Sequence, residues 1–174
     1  MQFVTFRLAD SLPAKKLRIW RDERDEWTAM NPKPWSAEQE KEYQRRFVWH
    51  LEGLLDEGAG SCILKDAANR SIIEESLMKF QGVKVDHHAW VIMPNHLHLV
   101  FTPLMPLEKL IQIWKGYTSR KLGGGAIWQK NYRDTLIRDR EHFGNVVRYI
   151  RRNPARLQPG TYSLWEGELA RVVK

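Results

Sequence analysis

Two separated stretches of this chain carry side chains that could share one chemistry. VIMPNHLHLVFTP, from Val91 to Pro103, sets His96 and His98 two apart in an apolar run. RDREHFGNVVRYIRRNP, from Arg138 to Pro154, sets Tyr149 and Asn153 four apart. Side chains alternate across a strand, so both imidazoles point to one face and Leu97, Leu99 and Phe101 to the other. Two imidazoles on one strand face can share a metal ion. They are too few for a structural zinc site, which usually takes four ligands, often cysteines, and Cys62 is the only cysteine. An open site with few protein ligands suits a catalytic divalent ion that also binds substrate phosphate. Zinc or another transition metal satisfies the same pair, and ordinary polar residues in a packed strand stand as the plainer reading.

Tyr149 and Asn153 share one helix face, beside an apolar stripe of Val146 and Ile150 that can dock the helix. Asn153 offers an amide oxygen as a third metal ligand from a different element. A tyrosine hydroxyl can attack a phosphodiester and hold the cut end covalently. With an ordinary pKa near 10 it needs activation. A bound cation and the nearby Arg148, Arg151 and Arg152 would favour phenolate and stabilise the transition state. The plainer alternative is a half-buried tyrosine on an amphipathic helix.

The surrounding charge has a direction. The chain has 174 residues, 43% of them hydrophobic, and a formal charge of +7. Between Lys115 and Arg156 eleven basic side chains face three acidic ones, a surplus of eight. These bases alternate with Trp114, Tyr117, Trp128, Tyr132 and Tyr149. That pattern fits nucleic acid, held through phosphate contacts and base stacking, as well as it fits a solvated basic face. The expected nucleic-acid contacts are Lys115, Arg120, Lys121, Trp128, Lys130, Tyr132, Arg138, Arg148, Arg151 and Arg152. No apolar run reaches the roughly 20 residues of a membrane span, and MQFVTFRLADSLP does not read as a secretory signal. These features predict a soluble cytoplasmic protein.

The elements that must position these residues can be read from periodicity and breakers. Val4, Phe6 and Leu8 alternate as a short strand. From Pro13, Leu17, Trp20 and Trp27 recur at helical spacing until Asn31-Pro32-Lys33-Pro34. Ser36 and Gln39 form a capping-box pattern before Tyr43, Phe47, Leu51 and Leu54, and Gly58 stops that helix. Asp66 caps a helix carrying Ile73, Leu77 and Phe80, ended by Gly82. Strands follow at about 84–93 and 96–102, then a helix at 107–122 stopped by Gly123-Gly124-Gly125. Trp128–Ile137 reads as a loop leading into an edge strand. Asp139 caps a last helix ending near Asn153, before Pro154. The order is α+β. Without the helical hairpin at about 13–58 and the tyrosine-bearing helix at about 139–153, it is the ferredoxin-like βαββαβ plan, with an antiparallel sheet in one domain over 1–174. Helices then cover one sheet face, the histidine face is left open, and His87 and His88 fall at the surface or behind the site.

Taken together the motifs resemble a family. Ala89-Trp90-Val91-Ile92-Met93-Pro94-Asn95-His96-Leu97-His98 resembles the His-hydrophobic-His (HUH) signature of single-tyrosine, IS200-like transposases. Trp128-Gln129, Tyr132, Asp134, Ile137-Arg138-Asp139, Tyr149-Ile150 and Asn153-Pro154 resemble the downstream signature of REP-associated tyrosine transposases. The likeness runs from Val4 to about Arg156 and is densest after Trp90. It implies a ferredoxin-like HUH endonuclease that nicks and rejoins single-stranded DNA at REP-like hairpin palindromes, at the nucleoid, as a monomer or homodimer. His96 and His98 would bind Mg²⁺ or Mn²⁺ with Asn153 as third ligand, a position usually held by glutamine in the wider group. Tyr149 would be the nucleophile, leaving a 5′-phosphotyrosine and a free 3′-OH. Tyr117 and Tyr132 are its rivals, and Gly123–Gly125 could let the tyrosine helix reposition. A domesticated protein that binds hairpin DNA or RNA without cutting is the alternative. A metal hydrolase without nucleic acid leaves the basic segment unexplained.

Overall fold

The computed structural model describes residues 1–174, the side chains of Glu52 and Asp56 excepted. The chain divides into two compact units, one of Met1–Ala9 with Cys62–Lys174, the other Asp10–Ser61.

The first unit is built on an antiparallel sheet. Its strands are β1 (Gln2–Arg7), β2 (Val85–Ile92), β3 (His96–Pro103), β4 (Arg133–Leu136) and β5 (Ser163–Glu166), in the order β4-β1-β3-β2-β5. The first four strands take the ferredoxin-like order, so the fold class expected from the element pattern is observed. β5 extends the sheet beyond β2 and carries the chain past the tyrosine helix, which was expected to be the last element. Its four residues, SLWE, hold too little alternation to read as a strand.

Each sheet face builds its own core because each strand alternates. On one face Val4, Phe6, Trp90, Ile92, Leu97, Leu99 and Phe101 pack against Ile73 and Leu77 of α4 (Ala67–Met78) and Leu110, Ile111 and Trp114 of α5 (Leu107–Lys121). Burying side chains of this size contributes about 1.5–3 kcal/mol each. On the other face Phe3, Ala89, Val91, Met93 and Val100 meet Phe143, Val146, Val147 and Ile150 of α6 (Arg140–Arg152). The histidine face is therefore covered, not open as expected. The apolar stripe of α6 is its lid, and His96 and His98 are both 0% exposed.

The local signals mostly act as chemistry requires. The Asp66 carboxylate accepts from the Ala68 N–H at 2.8 Å, and that of Asp139 accepts from the His142 N–H at 2.8 Å, satisfying donors that open α4 and α6. Alternation sends the neighbouring His87 and His88 into different cores, and a β-bulge between His87 and Ala89 leaves His88 and Ala89 on the same side. His87 stacks on Trp114 with its Nε2 3.1 Å from the Leu77 carbonyl, while the Nε2 of His88 bonds Thr102 at 2.9 Å beside Phe143. Both are buried packing residues, which corrects the expectation of a surface role. A four-residue helix, α7 (Glu168–Arg171), follows β5. The N–H of Gly167, which precedes α7, donates to the His88 carbonyl at 2.8 Å.

The second unit holds α1 (Ala14–Met30), α2 (Ala37–Tyr43) and α3 (His50–Asp56), with a π-helical turn at Gln44–Trp49 between the last two. The Ser36–Gln39 capping box forms in both directions. Trp27, Trp35, Tyr43 and Phe47 make its aromatic centre. Its two ends meet: the Ser61 N–H donates to the Asp10 carboxylate at 2.7 Å. Gly60 lies against the Asp10 carbonyl at a φ of +89°, where a Cβ would stand 2.4 Å from that oxygen, so only glycine fits.

Candidate active site

Strand register assembles the site. Thr5 on β1 is directly opposite His98 on β3, and Arg7 is opposite His96. Cross-strand partners share a sheet face, so these four side chains project together. The Nδ1 of His98 is 2.7 Å from the Thr5 hydroxyl, and that of His96 is 2.7 Å from the Asn95 amide oxygen. These bonds aim the Nε2 atoms of both rings at each other, 3.0 Å apart.

Helix α6 brings the tyrosine to this pair within the same chain. With Val146, Val147 and Ile150 fixing its rotation, the Tyr149 hydroxyl is 3.3 Å from the His98 Nε2. The rings of Tyr149 and His98 meet edge to face at 5.1 Å, and Phe3 stacks on His98 at 5.7 Å. Tyr117 and Tyr132 lie elsewhere. The Tyr117 hydroxyl donates to Glu75 of α4, and Tyr132 packs at the rim of the opposite core beside Lys115. Neither shares the histidine face.

The donor set fits a divalent cation. The Asn95 oxygen accepts the Nδ1 proton of His96, which leaves the Nε2 of His96 with a lone pair. The Thr5 hydroxyl can donate to or accept from the Nδ1 of His98, so His98 can also present a lone pair at Nε2. In one neutral tautomer His98 donates from Nε2 to His96 across this 3.0 Å; in the other, two lone pairs face each other and suit a cation between them. That spacing is also the edge of an octahedron with bonds of about 2.1 Å. Protonating His98 does not supply the positive centre: burial, and then the charge of Arg133, push its pKa down to about 3. Asn153 follows Tyr149 by one helical turn, and its amide oxygen is buried with no hydrogen-bond partner. A buried acceptor left this way is uncommon in a folded protein and is suited to a cation. Among the described residues no three His, Cys, Asp or Glu side chains cluster, so a third protein ligand would be an amide of this kind.

The expected nucleic-acid residues divide into two groups. Arg120, Lys121, Lys130, Arg138 and Arg152 are exposed. The others are engaged within the fold. Trp128 is buried at 6% exposure, packs edge-on against Phe6 and donates its Nε1–H to Thr118 at 2.8 Å, so it is a core residue and not a base-stacking platform. Lys115 donates to the carbonyls of Gln129, Lys130 and Asn131, and burial pushes its pKa down to about 8. Arg148 donates to the Lys174 carbonyl and to Asn145. Arg151 pairs with Glu166 of β5 at 2.8 Å and donates to the carbonyls of Val173 and Ala170. Arg148 and Arg151 thus fasten the segment after β5 to α6, where they were expected to serve the tyrosine.

Sequence reasoning missed Thr5, Phe3 and Arg133 as surroundings of the site. Their place depends on which strands pair, and that is not local information. Asn95 was within reach, since it directly precedes His96.

No helix among the described residues is long and apolar enough to cross a membrane. No family model matches the chain, and no curated protein matches it. Among solved structures the chain is similar to a REP-associated tyrosine transposase bound to a REP hairpin. The likeness has 16% identity and a TM-score of 0.43, over 97% of this chain and 86% of that one.

Proposed function

We propose that the protein is a metal-dependent endonuclease and strand transferase for single-stranded DNA, acting beside hairpins of the REP type. The observation that carries this reading is the Tyr149 hydroxyl 3.3 Å from the Nε2 of His98, which itself faces the Nε2 of His96 at 3.0 Å. His96, His98 and Asn153 would hold Mg²⁺ or Mn²⁺, which would neutralise charge on the scissile phosphate and favour the phenolate.

The remaining chemistry belongs to the chain. The Tyr149 oxygen attacks phosphorus, its proton passing to solvent. The phosphorus–O3′ bond breaks, and the departing 3′ oxygen takes a proton from water. The cut strand is then held as a 5′-phosphotyrosine with a free 3′-OH on the other piece. Attack by another 3′-OH reverses the step and transfers the strand. His98 is a poor proton acceptor for the phenol, because burial holds its conjugate acid near 3. Phe3, edge-on to the Tyr149 ring, and the α6 stripe that includes Val146 hold the tyrosine in place.

Incubation with hairpin oligonucleotides carrying single-stranded flanks, in Mg²⁺ or Mn²⁺, should yield a denaturation-resistant protein–DNA adduct. EDTA should abolish it. An adduct that persists at full yield in Tyr149→Phe would refute the assignment, and salt-dependent hairpin binding with no adduct would favour a non-cleaving binder.

A further inference from the structure

The mechanism above uses no cation of the protein's own at the phosphate, and Arg148 and Arg151, expected there, hold the segment after β5. The sheet register supplies another candidate. Thr5 is opposite His98 on one side and opposite Arg133 on the other. The three residues form one row across β3, β1 and β4, on one face. Neighbouring strands are about 4.8 Å apart, so the Arg133 Cβ stands about 10 Å from that of His98, within the reach of an extended guanidinium.

Its position in the sheet gives it access. Helix α6 packs on β2 and β3, whereas β4 is the edge strand beyond β1. Arg133 is only partly buried there. A DNA strand reaching Tyr149 across the β4 edge would meet this side chain. A guanidinium presents paired N–H donors that match two phosphate oxygens, which a lysine cannot do.

We propose that Arg133 binds the non-bridging oxygens of the DNA phosphate at the tyrosine and stabilises the charge that develops there during strand cleavage. This rests on the transesterase reading and adds to it a phosphate-binding residue outside the histidine and tyrosine motifs.

Two measurements test it on the full chain. The first is the single-turnover rate of adduct formation at saturating hairpin oligonucleotide. Arg133→Gln should lower it about 100-fold, and Arg133→Lys should recover part of the loss. The second is the salt dependence of binding the same oligonucleotide to Tyr149→Phe protein. Adding Arg133→Gln should lower the slope of log K against log salt by about one, and Arg133→Lys should keep it. If the Gln variant melts early, Arg133→Lys carries the test through a slowed rate at unchanged slope. A rate within threefold of the parent together with an unchanged slope overturns the proposal while leaving the transesterase standing. If the parent forms no adduct, the transesterase reading fails, and a lowered slope upholds Arg133 as a phosphate contact while an unchanged slope removes it.

Discussion

The hydroxyl of Thr5 lies 2.7 Å from the Nδ1 of His98, across 93 residues of sequence. A hydroxyl both donates and accepts, so this contact serves either tautomer of the imidazole. With the ring's proton on Nδ1, Thr5 accepts and the Nε2 lone pair points to the site. With the proton on Nε2, Thr5 donates and His98 can donate to His96. Thr5 is thus the group that lets His98 become a ligand without leaving a buried N–H unpaired.

Thr5→Val should therefore weaken Mn²⁺ binding by about 10- to 100-fold with little change in side-chain volume, and Thr5→Ser should restore most of it. Calorimetric titration of the three proteins with Mn²⁺ checks this. Equal affinities for Thr5→Val and the parent would remove Thr5 from the site.

His96→Ala should abolish adduct formation while hairpin binding falls by less than about tenfold, because phosphate contacts are expected from the exposed bases and not from this buried ring. Adduct yield and a gel-shift Kd, measured on one preparation, separate the two effects. A parallel loss of both would mean that the histidine holds the fold or the DNA.

The positions of these residues were legible to different depths. Caps and breakers are local, so Asp66, Ser36, Gly82 and Asp139 could be read directly, as could the strand that carries both histidines. Alternation also separated Leu97, Leu99 and Phe101 from His96 and His98. It could not say what covers the second face, since that depends on where the Phe143–Ile150 stripe docks. Trp128 and Lys115 turn out to be engaged inside the fold for a related reason: composition counts charges and aromatics but does not tell exposed ones from those used within. Strand order, which alone unites Thr5, His98 and Arg133, is set by long-range pairing.

Trp128→Phe should leave hairpin affinity within about twofold and lower stability by ~1 kcal/mol, the value of the lost bond to Thr118. Denaturant titration and binding on the same protein check it. A tenfold loss of affinity at unchanged stability would return Trp128 to the DNA surface.

Acid should destabilise the metal-free protein through His87. Burial lowers its pKa to about 4 from the ordinary 6.5, so the unfolded chain binds this proton more tightly. The stabilising effect is complete above pH 6.5 and is lost as pH falls toward 4, at up to ~1.4 kcal/mol per unit, or ~3 kcal/mol in all. His87→Leu should flatten the dependence of unfolding free energy on pH across that window. An unchanged slope would show that His87 titrates normally.

Arg151→Ala should release the segment after β5, since it removes the pairing with Glu166 and two carbonyl bonds. The expected cost is ~1–2 kcal/mol, moderated by partial exposure of the pair. Amide exchange should quicken over 163–173 and change little in β1 and β3. Uniform quickening would mean that the whole sheet depends on this contact.

The closed ends of the Asp10–Ser61 unit give it the character of a cassette. Its first and last residues are joined by the Asp10–Ser61 hydrogen bond, so the chain that enters it after Ala9 and leaves it at Cys62 bridges no long gap. Loop closure grows only with the logarithm of length, about 0.6 kcal/mol per doubling, so the chain can lengthen, shorten or exchange this segment at small thermodynamic cost. Closing the chain therefore sets only a weak limit on how long this segment can be.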